Sequence, residues 1–228
     1  MSLYTTLFFD LDNTILDFTA TEKSAIKGLL KKHGLGGTDS QAARYSKINQ
    51  MHWEMYERKE ITKDQILTGR FKTFVESEGF DFNYMILAED YFNFLSVGHD
   101  LVKDAIKVLN RTKNAGYTLC ATTNGILKTQ TRRIKLAHLD EVFDYIVISE
   151  AVNCQKPNKE YFEKAMEIAK VSDKSKILII GDSQSSDILG GINAGIDTCW
   201  YNPNRQIPKY ESRYEIHTLL DLLDILNA

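Results

Sequence analysis

The sequence predicts an α/β fold, in which a parallel sheet carries helices on both faces and a separate all-helical domain is inserted. Five short apolar runs lack the alternation of half-exposed strands, and helical stretches separate them. One long segment near the beginning carries no strand signal. Continuous apolar strands that alternate with helices are typical of a parallel sheet that is covered on both faces.

Each element has its own signal in the chain. The strand signals are residues 4–9, 117–122, 144–148, 176–180 and 197–201. The helices predicted around them are residues 100–114, 127–137, 158–170, 184–194 and 218–226. Gly116 and Gly195 lie where two of these helices should end, because glycine readily adopts left-handed backbone. This alternation predicts right-handed βαβ units.

The segment from residue 17 to residue 97 does not follow this alternation. It predicts four helices, at residues 20–33, 40–59, 62–78 and 83–96, with turns at the glycines of 34–37 and at Gly79. We therefore expect residues 1–16 and 98–228 to form the core domain. Residues 17–97 are expected to form a small helical domain that acts as a lid.

Composition argues against several classes of protein. The 228 residues carry a net charge of −3 and are 43% hydrophobic and 26% charged. A nucleic-acid polymer is an unexpected partner because no clustered basic face is present. No apolar run approaches membrane-spanning length, the first strand leaves no room for a signal peptide, and the three cysteines are widely spaced. These features predict a soluble cytoplasmic protein with reduced thiols.

Two carboxylates, Asp10 and Asp12, follow the first apolar run. If the chain stays extended there, both side chains leave the same face, and carboxylates in different environments can divide a reaction between them. One then attacks phosphorus while the other carries a proton to the leaving oxygen. Asn13 and Thr14 supply turn hydrogen bonds that hold the loop. The alternative is an Asx turn with two solvated, inert carboxylates.

A hydroxyl, an amide and an ammonium follow further along the chain. Thr123 ends the second strand and Asn124 leads toward a helix, so together they form a candidate phosphate site. Lys156 precedes Pro157, which favours extended backbone and a defined position for an ammonium that neutralises phosphoryl oxygens. Taken alone, Thr123 is more typical of a helix cap, and Lys156 is more typical of a solvated surface.

Asp182 ends the fourth apolar run, and Asp187 follows in the next helix. Mg²⁺ prefers a few carboxylate and carbonyl oxygens, with water and substrate phosphate completing its octahedron. We expect the carboxylates of Asp10 and Asp182 and the carbonyl of Asp12 to hold the ion. Asp187 is expected to orient Asp182, Lys156 or a metal-bound water, or else only to interact with the helix dipole.

These segments resemble the four signature motifs of the haloacid dehalogenase superfamily in its magnesium-dependent phosphatase form. They are Asp10-Leu11-Asp12-Asn13-Thr14, Thr123-Asn124-Gly125, Lys156-Pro157, and Gly181-Asp182 through Asp187. The resemblance implies a Rossmann-like core with a helical cap inserted after the first motif. It also implies that Asp10 is the nucleophile, Asp12 the general acid and base, and Thr123 and Lys156 phosphate ligands. The dehalogenase branch lacks the second carboxylate, so Asp12 favours phosphoryl transfer.

A closer resemblance, to the bacterial house-cleaning pyrimidine 5′-nucleotidases of this superfamily, covers nearly the whole chain. It rests on Gly69-Arg70-Phe71, on Ile148-Ser149-Glu150, and on the stretch from Ser186 through Gly195 to Cys199-Trp200. It implies hydrolysis of UMP, dUMP and dTMP through an aspartyl phosphate with Mg²⁺ as cofactor. One departure is Asn153-Cys154-Gln155, where related sequences carry smaller residues before the lysine.

Selection of the substrate is expected from the helical domain, which is rich in aromatic residues. Trp53, Tyr56 and Arg70 are the candidates, because a base can stack on an aromatic ring while a polar neighbour reads its edge. The alternative is that aromatic residues at helical spacing form the core of that domain.

Other functions are compatible with the same motifs. A phosphatase of a phosphosugar, phosphoglycolate or flavin mononucleotide (FMN), or a phosphomutase, would keep the chemistry and change the small phosphomonoester partner. A phospho-receiver also groups acids, a threonine, a lysine and magnesium around a parallel sheet, although it has no use for Asp12 or an inserted domain. The chain is expected to be a monomer or a homodimer.

Overall fold

The structure, a computed structural model, describes residues 3–227, which form two compact units. One unit comprises residues 3–17 and 101–227, and the other comprises residues 18–100. Across residues 3–227, no helix combines the length and the apolar character that crossing a membrane requires.

Four helices form the unit of residues 18–100. They are α1 (Phe18–Lys32), α2 (Asp39–Glu57), α3 (Lys63–Glu78) and α4 (Tyr84–Leu95). Thr38 and Gln41 begin α2 with a reciprocal capping box, and Thr62 and Gln65 do the same for α3, which defines where each helix starts. Apolar side chains from all four helices form one core, which includes Ile26, Leu30, Tyr45, Phe71, Phe74, Leu87 and Tyr91.

Six strands form the sheet of the other unit. They are β1 (Thr6–Phe9), β2 (Thr118–Thr123), β3 (Tyr145–Ile148), β4 (Ile177–Gly181), β5 (Asp197–Tyr201) and β6 (Tyr214–Ile216). All neighbouring pairs are parallel, in the order β3-β2-β1-β4-β5-β6. The predicted α/β class is confirmed. The edge strand β6 was not predicted, because its three residues include the exposed Glu215 and give no apolar run.

The sheet is covered on both faces, as the apolar strands predicted. Its helices are α5 (Ala105–Asn114), α6 (Leu127–Leu136), α7 (Ser149–Val152), α8 (Lys159–Ile168), α9 (Leu189–Ala194) and α10 (Asp221–Leu226). Leu7 and Phe9 of β1 pack into one apolar cluster with Leu109 of α5, whereas Phe8 packs into another with Tyr161 of α8. Successive residues of a strand point to opposite faces, so β1 contributes to both cores.

The order of the strands reverses at β1. From β1 the chain adds β2 and β3 on one side and β4, β5 and β6 on the other. Phe9 at the end of β1 pairs with Ala121 and with Ile180, so the carboxyl ends of the three central strands are in register. Open α/β sheets bind ligands at the carboxyl ends of their strands where the order reverses.

Candidate active site

Three carboxylates converge at the point where the strand order reverses. Oxygen atoms of Asp10, Asp182 and Asp187 all lie within 4.8 Å of one another. Asp10 directly follows β1, and its N–H donates to the carbonyl of Ile180 at 2.8 Å, which continues the ladder between β1 and β4. Asp182 directly follows β4. The structure therefore brings together acids that are far apart in the chain.

The side chain of Lys156 lies between two of these acids. Its Nζ donates to Asp10 Oδ1 at 2.6 Å, to Asp187 Oδ1 at 2.7 Å and to the carbonyl of Thr122 at 3.0 Å. The lysine side chain is 1% exposed and Asp187 is fully buried. Lys156 thereby donates all three of its ammonium protons, and its single positive charge lies among three carboxylates.

Burial and this excess of negative charge change the pKa values of the acids and of the lysine. Burial raises the pKa of Asp10 to about 7, with attraction to Lys156 opposing the rise and repulsion from Asp187 adding to it. Burial, together with repulsion from Asp10 and Asp187, raises the pKa of Asp182 well above its usual range. Burial acts to lower the pKa of Lys156, but attraction to Asp10 and Asp187 outweighs it and the pKa is raised. The lysine therefore stays protonated, and the site still favours a further cation.

Asp187 is held by the backbone of the loop after β4. Its Oδ2 accepts from the N–H of Ser183 at 3.1 Å, while its Oδ1 accepts from Lys156. The segment Gln184–Ile188 is a π-helical turn that leads into α9, whereas the sequence predicted one regular helix over residues 184–194. This geometry agrees with the expectation that Asp187 orients Lys156. The functional role of Asp187 stays a prediction.

Thr14 joins the loop after β1 to the loop after β4. Its Oγ1 accepts from the N–H of Asp182 at 3.1 Å and lies 3.5 Å from Asp182 Oδ1. Asn13 adopts a left-handed backbone conformation with φ 62°, and its N–H donates to the carbonyl of Leu16 at 2.7 Å. The predicted turn residues therefore shape the loop, and Thr14 also contacts a candidate metal ligand.

Thr123 and Asn124 follow β2 and have different contacts. The hydroxyl of Thr123 accepts from the N–H of Gly125 at 3.1 Å and from Gln130 Nε2 at 2.8 Å, which leaves its own proton to donate. The amide of Asn124 pairs with the backbone of Lys156, accepting from its N–H and donating to its carbonyl, both at 2.9 Å. Asn124 thus positions the lysine, and a direct contact of its side chain with phosphate stays a prediction.

Two residues at this site were missed by the sequence analysis. Gln130 Nε2 donates to Asp12 Oδ2 at 2.9 Å, and Arg133 Nη1 donates to Asp12 Oδ1. Both lie on one face of α6 because they are three residues apart. A polar i, i+3 pair shortly after the second motif was the available signal, but such a pair more often faces solvent.

The aromatic candidates of the helical unit lie side by side on α2. The rings of Trp53 and Tyr56 have centroids 6.0 Å apart in an edge-to-face arrangement. Both side chains are half-buried. They present ring surface, and their contact with a substrate stays a prediction.

Arg70 lies in the interior of the helical unit and is 2% exposed. Its Nη1 donates to Asn49 Oδ1 at 2.6 Å, and Asn49 Nδ2 in turn donates to Glu22 Oε1 at 2.6 Å. Its guanidinium also lies 5.2 Å from the ring centroid of Tyr91. These contacts favour a structural role for Arg70, and reading of a base by this side chain stays a prediction.

Comparison with known proteins places these features in a family. The family model described as haloacid dehalogenase-like hydrolase matches residues 7–201. The HAD-hydrolase YfnB of Bacillus subtilis is 37% identical over 229 residues, which cover 100% of this chain and 97% of YfnB. A crystal structure of YfnB bound to magnesium has a TM-score of 0.93 and 36% identity, and the match covers 99% of each chain.

Two further relatives carry an activity in their names. Pyrimidine 5′-nucleotidase PynA of Streptococcus pneumoniae is 36% identical over 226 residues, covering 98% of this chain and 95% of PynA. Pyrimidine 5′-nucleotidase YjjG of Escherichia coli is 32% identical over 200 residues, covering 88% of this chain and 87% of YjjG. The similarity to both extends beyond the four motifs.

Proposed function

The chain belongs to the haloacid dehalogenase-like hydrolases and acts on phosphoric monoesters, and on that premise we propose that it is a magnesium-dependent pyrimidine 5′-nucleotidase. The observation that carries the chemistry is the contact of Lys156 Nζ with both Asp10 and Asp187 beside Asp182. The substrate class is supported by the similarity to PynA and YjjG.

The donor set fits a hard divalent cation. Asp10, Asp182 and Asp187 offer carboxylate oxygens within 4.8 Å of one another, and one lysine balances only part of their charge. Both oxygens of Asp187 already accept hydrogen bonds, so we assign the ligands as the carboxylates of Asp10 and Asp182 and the carbonyl of Asp12. When bound, Mg²⁺ neutralises charge on the phosphoryl group.

Asp10 is the proposed nucleophile. Lys156 donates to Asp10 Oδ1, which leaves Oδ2 to attack phosphorus in line with the leaving oxygen. The bond from Oδ2 to phosphorus forms as the bond from phosphorus to the 5′-oxygen breaks. The buried positive charge of Lys156 attracts the phosphoryl oxygens, and the hydroxyl of Thr123 donates its remaining proton to one of them.

Asp12 completes both half-reactions as the proposed general acid and base. In the first, it gives a proton to the departing 5′-oxygen. In the second, water attacks phosphorus and transfers a proton to Asp12, the bond from phosphorus to Asp10 breaks, and phosphate leaves. Asp10 and Asp12 then have their starting protonation states, so the cycle balances.

The test measures phosphate release from a set of esters. Metal-stripped protein is assayed with and without added Mg²⁺ on UMP, dUMP, dTMP, a purine nucleotide, FMN, phosphoglycolate and a hexose phosphate. We expect turnover to require Mg²⁺ and kcat/KM to be at least about tenfold higher for the pyrimidine nucleotides. A higher value for FMN, phosphoglycolate or the hexose phosphate would overturn the substrate class and leave the chemistry intact.

Substitution of the nucleophile tests the chemistry separately. Asp10→Asn should abolish turnover of every ester, while Asp81→Asn, which changes an exposed acid of the helical unit, should not affect it. Turnover by Asp10→Asn within about tenfold of the wild type would contradict the assignment. A lasting phosphorylated wild-type protein that releases no phosphate would indicate a receiver instead.

A further inference from the structure

The two carboxylate oxygens of Asp12 are held by two different side chains of α6. Arg133 Nη1 donates to Oδ1, and Gln130 Nε2 donates to Oδ2 at 2.9 Å. Arg133 Nη1 also donates to Gln130 Oε1 at 2.9 Å, so the two donors orient each other. The plane of the Asp12 carboxylate is therefore defined by three connected hydrogen bonds.

Burial makes this arrangement costly in free energy. Arg133 is fully buried and Gln130 is 1% exposed, whereas the side chain of Asp12 is 29% exposed. A buried guanidinium is expensive to desolvate, and well-packed apolar residues in place of a buried ion pair often leave stability unchanged or raise it. Stability of the core therefore gives a weak reason for an arginine at this position. Its contact with Asp12 gives a stronger one.

Gln130 also connects Asp12 to the candidate phosphate site. Its Nε2 donates to Thr123 Oγ1 at 2.8 Å as well as to Asp12. Gly125 leaves the space for this side chain, because a Cβ at that position would lie 2.6 Å from Gln130 Cδ. The glycine of the second motif thus permits one amide to link a proposed phosphate ligand with the proposed acid and base.

We propose that Gln130 and Arg133 are positioning residues that hold the carboxylate of Asp12 in the orientation required for proton transfer. The proposal rests on the proposed function, in which Asp12 protonates the leaving oxygen. Proton transfer requires a heavy-atom separation of about 2.6–3.2 Å, and Asp12 lies on an irregular loop where its side chain would otherwise rotate. Each carboxylate oxygen accepts about two hydrogen bonds, so both retain a position for the transferred proton.

The experiment compares esters whose leaving groups differ in their need for a proton. p-Nitrophenolate leaves without protonation, whereas the 5′-oxygen of a nucleotide requires it. In Arg133→Met and in Gln130→Met, kcat/KM for dUMP should fall about 10²- to 10³-fold. For p-nitrophenyl phosphate, kcat/KM should fall less than about fivefold in Arg133→Met, and by more in Gln130→Met, which also removes the donor to Thr123, but by less than for dUMP in both variants. This ratio reports the steps through phosphoryl transfer, so the later hydrolysis of the aspartyl phosphate does not obscure it.

Two controls separate positioning from a structural role. Arg133→Lys retains a cation and should recover part of the lost rate on dUMP, while Arg132→Met makes the same change at the exposed neighbouring residue and should match the wild type. In an Asp12→Asn background, Arg133→Met should cause no further loss, because it acts through the carboxylate that has been removed. Gln130→Met provides the same comparison if Arg133→Met does not fold.

The results distinguish this inference from the proposed function. Equal losses on both esters, or a full additional loss in the Asp12→Asn background, would overturn the positioning role while the wild type remains a phosphatase. If the wild type hydrolyses neither ester, the proposed function fails and the inference fails with it. A loss of kcat/KM that is selective for dUMP, with partial recovery in Arg133→Lys, supports the positioning role.

Discussion

Gly181, the last residue of β4, lies directly against the side chain of Asp187. A Cβ at position 181 would be 2.6 Å from Asp187 Cβ and closer still to its carboxylate. The carboxylate that contacts Lys156 and the N–H of Ser183 occupies the space that a side chain at position 181 would need. The glycine before Asp182 is thus required by packing and not by backbone conformation.

Gly181→Ala should therefore displace Asp187 and disturb Lys156. We expect kcat for p-nitrophenyl phosphate to fall at least about tenfold, because the ammonium is no longer held beside Asp10. We also expect a loss of about 1–3 kcal/mol in the free energy of unfolding, since the added methyl overpacks a buried site. Steady-state kinetics and urea unfolding measure the two effects.

Gly69→Ala is the matched control. A Cβ there would lie 3.6 Å from His52 Nε2, an ordinary contact, within helix α3. Alanine is a better helix former than glycine, so stability should rise or stay the same. Equal losses for Gly181→Ala and Gly69→Ala would contradict the packing explanation.

Lys156→Met should destabilise the protein because it leaves Asp10 and Asp187 buried without their cation. Loss of one partner from a buried ion pair costs about 3–5 kcal/mol. Urea unfolding in the presence of a chelator measures this loss, and added Mg²⁺ should restore part of it by supplying positive charge. Lys159→Met, which removes an exposed pair with Glu163, should leave the free energy of unfolding unchanged. If both substitutions change the free energy of unfolding by a similar amount, Lys156 does not compensate buried charge on Asp10 and Asp187.

Mg²⁺ should raise the thermal stability of the wild type by binding the folded state. At about a hundred times the dissociation constant, binding contributes about 2.7 kcal/mol, which corresponds to an increase in Tm of about 5–10 °C for a chain of this size. Asp182→Asn should lose this increase, because one proposed carboxylate ligand is gone. Asp81→Asn should retain it.

The same variant has a second expected effect when metal is absent. Asp182 is repelled by Asp10 and Asp187, so in a chelator Asp182→Asn should have a higher Tm than the wild type. Differential scanning calorimetry with and without Mg²⁺ measures both differences. If Asp182→Asn has a lower Tm than the wild type in chelator, other contacts already compensate the repulsion among Asp10, Asp182 and Asp187.

The sequence was sufficient to predict the strands β1 to β5 of the sheet and the acids at its edge, for a physical reason. Buried parallel strands such as β1 and β4 must be continuously apolar, and the polar residue that follows marks the carboxyl end. Asp10 and Asp182 are therefore visible from local pattern alone. The parallel order of the strands then brings the two together.

Other features depend on tertiary contacts that no local pattern contains. The segment Gln184–Ile188 has an ordinary helical pattern, and its π-helical turn becomes apparent only in the structure. Gln130 and Arg133 appear as polar residues of a solvated helix face until α6 is packed beside the loop of Asp12. Strand β6 is defined by pairing with Cys199 and its neighbours, since three residues carry too little signal.

Trp53, which forms a ring pair with Tyr56 on α2, is the candidate for stacking on the base. If Trp53 stacks on the pyrimidine, Trp53→Leu removes an interaction worth about 1–3 kcal/mol and should raise KM for dUMP about 5- to 150-fold. Hydrolysis of p-nitrophenyl phosphate, which has no pyrimidine, should change little. Met51→Ala alters an exposed residue of the same helix and should leave both substrates unaffected. A parallel loss on both substrates would mean that Trp53 supports the helical unit through its contact with Tyr56 and does not recognise the base.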